Sequence, residues 1–139
     1  MFWDSSAVVP LLLPETRSRR LTDLLASDHE PATWWATPVE CQSALYGRHR
    51  ERPLPGATVR TALQRIQAFA EDVDTIAATD AVRRRATRLL AIHPLRAGDA
   101  LQLAAALIWC EDTPDGEAFL CLDERLRAAA ANEGFDVLP

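Results

Sequence analysis

Between Ala97 and Cys110 the chain carries an almost unbroken apolar run, with Asp99 near its start and Gln102 inside it. Alanine and leucine favour helix strongly. A helix that is apolar nearly all round has to be buried on most sides. The chain has 139 residues, which suits one domain with a proper core and no covalent staples. The acid in the first turn of this helix has two readings. It answers free backbone N–H groups and the helix dipole, or it holds a cation at the rim of a site.

The other segments alternate in type. Met1 to Asp4 reads as a strand, and Ser5-Ser6 as the cap of a brief helix from Ala7 to Leu13 punctuated by Pro10 and Pro14. A second helix follows from about Thr16 to Leu25, then a strand from Pro31 to Trp35. Thr37-Pro38-Val39-Glu40 has the form of a capping box with proline at the first helical position, opening a helix to about Arg50. After the breakers Pro53, Pro55 and Gly56, residues 58–69 show a helical apolar period at Val59, Ala62, Leu63, Ile66 and Phe69. Thr75 to Thr79 reads as a short strand, and Asp80 caps a helix to about Ala91. After the Asp99 helix come a polar loop, a strand at Ala118–Leu122, a helix from Glu124 to Asn132 stopped by Gly134, and a strand at Phe135–Leu138. Such alternation predicts an α/β fold, a parallel sheet with helices on both faces, in one domain over residues 1–139.

Several function classes fall away on composition. Cys41, Cys110 and Cys121 are odd in number and widely spaced, and His29, His49 and His93 lie near no cysteine. They make neither a disulfide framework nor a zinc pattern, which suits a reducing cytoplasm. The apolar run Leu103–Cys110 is far short of the roughly 20 residues of a membrane helix. With an acid at Asp4 and no basic residue before Arg17, the N-terminus does not read as a signal peptide. The formal net charge of -5 argues against holding nucleic acid by bulk electrostatics, though not against an enzyme whose acids are neutralised by metal. All 15 basic residues are arginine, several in clusters such as Arg83 to Arg85 with Arg88. They read as solvated helix faces or as phosphate contacts made by a bidentate fork.

In a parallel sheet, ligands bind at the carboxyl edge, near the switch point of strand order. Asp4 ends the first strand, Glu40 lies in the first turn after the second, Asp99 opens its helix, and Asp123 ends the fourth strand. With this topology all four share that edge. Four carboxylates together raise one another's pKa and call for a compensating cation. Oxygen donors without His or Cys point to Mg²⁺ or Mn²⁺. Each acid also has a plain reading as a helix cap, strongest for Glu40 with its capping box and weakest for Asp4.

Phe2-Trp3-Asp4-Ser5-Ser6-Ala7, Glu40 in a helix after a strand, Ala97-Gly98-Asp99-Ala100-Leu101-Gln102-Leu103-Ala104, and Leu120-Cys121-Leu122-Asp123-Glu124-Arg125-Leu126 together resemble the PIN-domain ribonucleases. Within them they are most similar to the VapC toxins of bacterial toxin–antitoxin pairs. The resemblance implies a three-layer α/β/α sandwich around a central parallel sheet of about five strands. It implies metal-dependent endonucleolytic cleavage of RNA, with the acidic metal site on Asp4, Glu40, Asp99 and Asp123. It gives Ser6 a hydroxyl that orients the first acid or its water, where the residues alone allow an ordinary helix cap. It also implies a small cognate antitoxin protein as inhibitor, and a homodimer. Cys121 departs from it, standing where the family commonly has Thr or Ser; a lost hydroxyl weakens a bond to a carboxylate or water, unless the cysteine is simply a small core residue. Gln102 stands where His is frequent.

The residues bear on two other functions. An aspartate-based phosphatase wants Asp-x-Asp after the first strand, but Ser6 stands two past Asp4 and the chain has no lysine. A non-enzymatic module would use the acidic rim to dock a partner's arginines, with the acids as caps; metal binding separates it from the nuclease. Trp34, Trp35 and Tyr46 offer base stacking, with core packing expected for the two tryptophans. The apolar face from Val59 to Phe69 offers an interface.

Overall fold

The computed structural model describes residues 1–13 and 18–139. In chain order the elements are β1 (Phe2–Trp3), α1 (Ser5–Leu12), α2 (Ser18–Ser27), β2 (Ala32–Trp34), α3 (Thr37–Glu51), α4 (Gly56–Asp72), β3 (Asp74–Ile76), α5 (Asp80–Ile92), α6 (Ala97–Trp109), β4 (Ala118–Leu120), α7 (Glu124–Glu133) and β5 (Asp136–Leu138). The five strands form one sheet in the order β3-β2-β1-β4-β5, with every pair parallel.

Strand alternation divides the core. Phe2 and Phe119 face one side, stacked with ring centroids 5.7 Å apart, and pack against α5, α6 and α7. Trp3 and Leu120, the next residue in each strand, face the other side and pack against α1, α3 and α4. Side chains alternate faces along a strand, so two residues of β1 serve both cores. Ala100 and Leu103 to Leu107 of α6 are buried, as the apolar run requires. The result is a three-layer α/β/α sandwich.

The strands are shorter than the sequence predicts, because the chain leaves the ladder early to start each helix. Residues 121–123 serve the turn into α7, and β3 ends at Ile76 rather than Thr79. Thr79 itself caps α5 by accepting from Val82 N, where Asp80 was expected; Asp80 is instead the first helical residue, ion-paired at the surface with Arg83 at 2.9 Å. Asp4, not Ser5-Ser6, caps α1, since its carboxylate reaches the N–H two residues on. Helix α1 runs through Pro10, which forfeits a single intrahelical bond. Helix α4 extends beyond residues 58–69 at both ends. Pro14, and the start of the second helix at Thr16, lie outside the described residues.

The capping box at Thr37 does not form. The cap position is Ala36, without a side-chain bond, and Thr37 is already helical and fully buried. Its hydroxyl turns inward to other polar partners, and Glu40 is thereby released from capping. Trp34 is buried, but Trp35 is 59% exposed, contrary to the core packing expected for both; neighbouring residues leaving a strand face opposite ways. Ala62, Ile66 and Phe69 are buried within the domain, so this face of α4 closes the core. Among the described residues no helix is long and apolar enough to cross a membrane.

Candidate active site

Strand order reverses at β1. The chain passes from β1 to β2 and β3 on one side, then returns to place β4 and β5 on the other. The crevice at such a switch point is where an open α/β sheet binds ligands. Here a cavity of about 410 Å³ is lined by Asp4, Glu40, Asp99 and Asp123, together with Ser6 and Gln102. Four segments widely separated in sequence thus bring their acids to one cleft, as the topology predicted. Among the described residues no basic side chain lines it.

Asp4 follows β1, and its backbone N–H donates to Leu120 O at 3.0 Å, which fixes it to the end of β4. Its carboxylate is 4% exposed. Oδ2 accepts from Ser6 N at 2.9 Å, from the Ser6 hydroxyl, and from the Cys121 thiol at 3.4 Å. Burial pushes the Asp4 carboxyl above the usual range; the Ser6 and Cys121 bonds oppose this, and the charge of Asp99 adds to it.

Ser6 joins two loops. While donating to Asp4, its hydroxyl accepts from Leu122 N at 2.8 Å. The Cys121 sulfur also accepts from Asp123 N at 3.3 Å. The thiol is fully buried and bonds both to Asp4 and to the backbone of Asp123. Arg127 steadies the same turn from α7, donating to Cys121 O at 2.9 Å and to Leu138 O at 3.0 Å.

Glu40 lies one turn into α3. Gln102 Nε2 donates to its Oε2 at 2.7 Å, and a β-carbon at Gly98 would stand 3.6 Å from its Oε1. Burial raises its pKa, bonds from Ser5 and Gln102 lower it, and the charges of Asp4 and Asp99 raise it again. The Cys41 thiol, next to Glu40 in sequence, is pushed up to about 12 by burial and by the charges of Glu40 and Asp4.

Asp99 and Asp123 both bond to the backbone at the start of their helices. Asp99 is the third residue of α6, not its cap; Oδ2 accepts from Arg96 N at 3.2 Å. Asp123 caps α7 through Oδ1, which accepts from Arg125 N and Leu126 N at 3.0 Å each. Both nevertheless line the acidic cleft. A carboxylate has capacity for several acceptor bonds, so capping does not exhaust either group.

The donor set fits a hard divalent cation. It consists of carboxylate oxygens; the charge of Asp99 raises the pKa of Asp4, and the charges of Asp4 and Asp99 raise that of Glu40, a crowding that such a cation relieves. Among the described residues, no three Asp, Glu, His or Cys side chains already stand as a closed ligand group. The acids face one cleft without meeting in it.

Gln102, Thr37 and Arg127 did not stand out as site residues in the sequence. The signal for Gln102 was present, since a lone amide inside a buried apolar helix must find partners. The family described as PIN domain matches residues 1–132. No curated protein matches the chain.

Proposed function

The chain belongs to the PIN domain family, and from that premise we propose that it is a Mg²⁺- or Mn²⁺-dependent endoribonuclease, the toxin of a type II toxin–antitoxin pair. PIN domains are generally nucleases that use divalent metal ions. The observation that carries the reading is the single cleft lined by Asp4, Glu40, Asp99 and Asp123 at the switch point.

In this reading the four acids hold the ion, one domain spans residues 1–139, and the protein works in the cytoplasm. A divalent ion bound there supplies Lewis-acid polarisation of a phosphoryl oxygen and lowers the pKa of water. Ser6 holds Asp4 through Oδ2 and ties it to Leu122 N, so the first acid keeps its place as the substrate's charge enters. The cleft adjoins a second hollow of about 440 Å³ between α1 and α3, which shares Ser5, Ser6, Glu40 and Ala44 with it and reaches Arg48. An RNA strand lies along this path, with a neighbouring phosphate against the Arg48 guanidinium, whose fork suits phosphate. The cognate antitoxin silences the enzyme by inserting an arginine among the carboxylates in place of the ion, and the toxin acts as a homodimer.

The test is cleavage of mixed cellular RNA by the purified protein with Mg²⁺ or Mn²⁺, with chelator, and with Asp99→Asn. Discrete fragments that need metal and vanish in the variant support the proposal. A folded protein that neither cleaves RNA nor binds Mn²⁺ overturns it and leaves a docking module.

A further inference from the structure

Gln102 is 1% exposed, and its amide touches both the acidic cleft and a buried row of hydroxyls. Nε2 lies 2.7 Å from Glu40 Oε2 and 3.3 Å from Thr37 Oγ1. Thr37 Oγ1 is 2.9 Å from Thr33 Oγ1, which is 2.8 Å from the Trp3 carbonyl oxygen.

Counting protons gives this row a direction. Trp3 O only accepts, so the Thr33 hydroxyl proton goes to it. Thr37 must then donate to Thr33 Oγ1, and its own oxygen accepts from Gln102. The amide NH₂ therefore faces Thr37 and Glu40 together. Turning the amide over would set its oxygen against the Glu40 carboxylate and against a hydroxyl whose proton is already committed. The consequence is visible at the other end of the amide, where Oε1 is buried without a hydrogen-bond partner among the described residues. Leaving such an oxygen unsatisfied is costly, so the orientation is imposed by the row and not by the oxygen.

We propose that Gln102 is a positioning residue for Glu40, with its amide direction set from the Trp3 carbonyl through Thr33 and Thr37. Holding Oε2 fixes the rotation of the Glu40 carboxylate, to which Ser5 is a second donor, and sets Oε1 on the side of Gly98, which lines the same cleft. Trp3 immediately precedes Asp4, so the row also registers the acid of α3 to the acid that ends β1. The inference rests on the metal-dependent reading above.

The experiment is calorimetric titration of Mn²⁺ into wild type, Gln102→Met, Gln102→His and Thr37→Val, with metal-free melting of each. Gln102→Met keeps length and loses both donors; its Mn²⁺ affinity is expected to fall about 10–100-fold, as for other lost partners of a metal ligand. Gln102→His, which keeps an N–H donor, recovers most of that affinity. Thr37→Val weakens Mn²⁺ binding by freeing the amide to turn, and adds nothing when combined with Gln102→Met. On RNA, Gln102→Met lowers kcat and leaves KM in place. If Gln102→Met does not fold, Thr37→Val carries the test. Variants that melt lower yet bind Mn²⁺ as wild type does overturn the inference alone. A wild type that binds no Mn²⁺ overturns the proposed function itself.

Discussion

The Cys121 thiol lies 3.4 Å from Asp4 Oδ2 while its sulfur accepts from Asp123 N at 3.3 Å. One buried side chain thus contacts groups at the ends of two neighbouring strands. Cys121→Ser keeps a donor there and is expected to retain cleavage activity. Cys121→Ala loses the bond without adding volume to the buried site, and is expected to cost about tenfold in activity or metal affinity. Parallel assays of both variants, with melting curves, separate the bond from packing.

Divalent ions should stabilise the fold, and more at neutral than at acid pH. The folded-state pKa values of Asp4 and Glu40 lie above their ordinary values of 3.8 and 4.5. Between those values and the raised ones, the folded protein holds protons that the unfolded chain has released. Stability therefore falls as pH rises through that window, and the penalty is complete once pH exceeds the raised values. A cation binding the ionised acids offsets it, by about 2.7 kcal/mol at a hundredfold excess over Kd. Melting with and without Mn²⁺ at pH 5 and 7.5 tests this; equal shifts at both would contradict it.

Arg48→Ala should weaken RNA binding evenly across sequences and reduce its salt dependence by about one unit of slope, the signature of one lost phosphate contact. Mn²⁺ affinity should not move, because Arg48 lines the adjoining hollow and not the acidic cleft. Binding of a non-cleavable oligonucleotide at several salt concentrations is the measurement.

Gly134 ends α7 at φ 108°, where an added β-carbon would meet Pro114 Cγ at 3.2 Å. Gly134→Ala should lose about 1–2 kcal/mol from the left-handed backbone alone, and more from the contact. Gly116, at φ 80° with open space around it, should lose only the backbone part. Urea unfolding of both variants checks the difference, with Asp99-dependent cleavage unaltered in either.

The sheet and the shared edge of the acids were legible because hydrophobic period and element order determine them. Asp4, Glu40, Asp99 and Asp123 line one cleft, as alternation required. The local bonding was less legible. Thr37-Pro38-Val39-Glu40 fits a capping box letter for letter, yet Thr37 is drawn inward by Thr33 and Gln102, a contact across 65 positions of sequence that no local rule contains. Trp34 and Trp35 are the same residue type side by side, and only their phase along the strand decides which is buried. The partners of Gln102 come from α3, and a helix pattern shows burial without showing what a buried amide touches.

The ladder at the centre of the sheet has a consequence for how the protein comes apart. Asp4 N bonds to Leu120 O, so the acid beyond β1 and the turn toward Asp123 hang from the same inner pair of strands. The edge strands are the more exposed, Asp74 and Thr75 of β3 and Asp136 of β5 among them. Local opening begins where burial is least, and amide exchange at β3 and β5 should outpace that at β1 and β4. The cleft sits in the part of the molecule that opens last, so damage at the rim shortens the protein's lifetime before it retunes the chemistry.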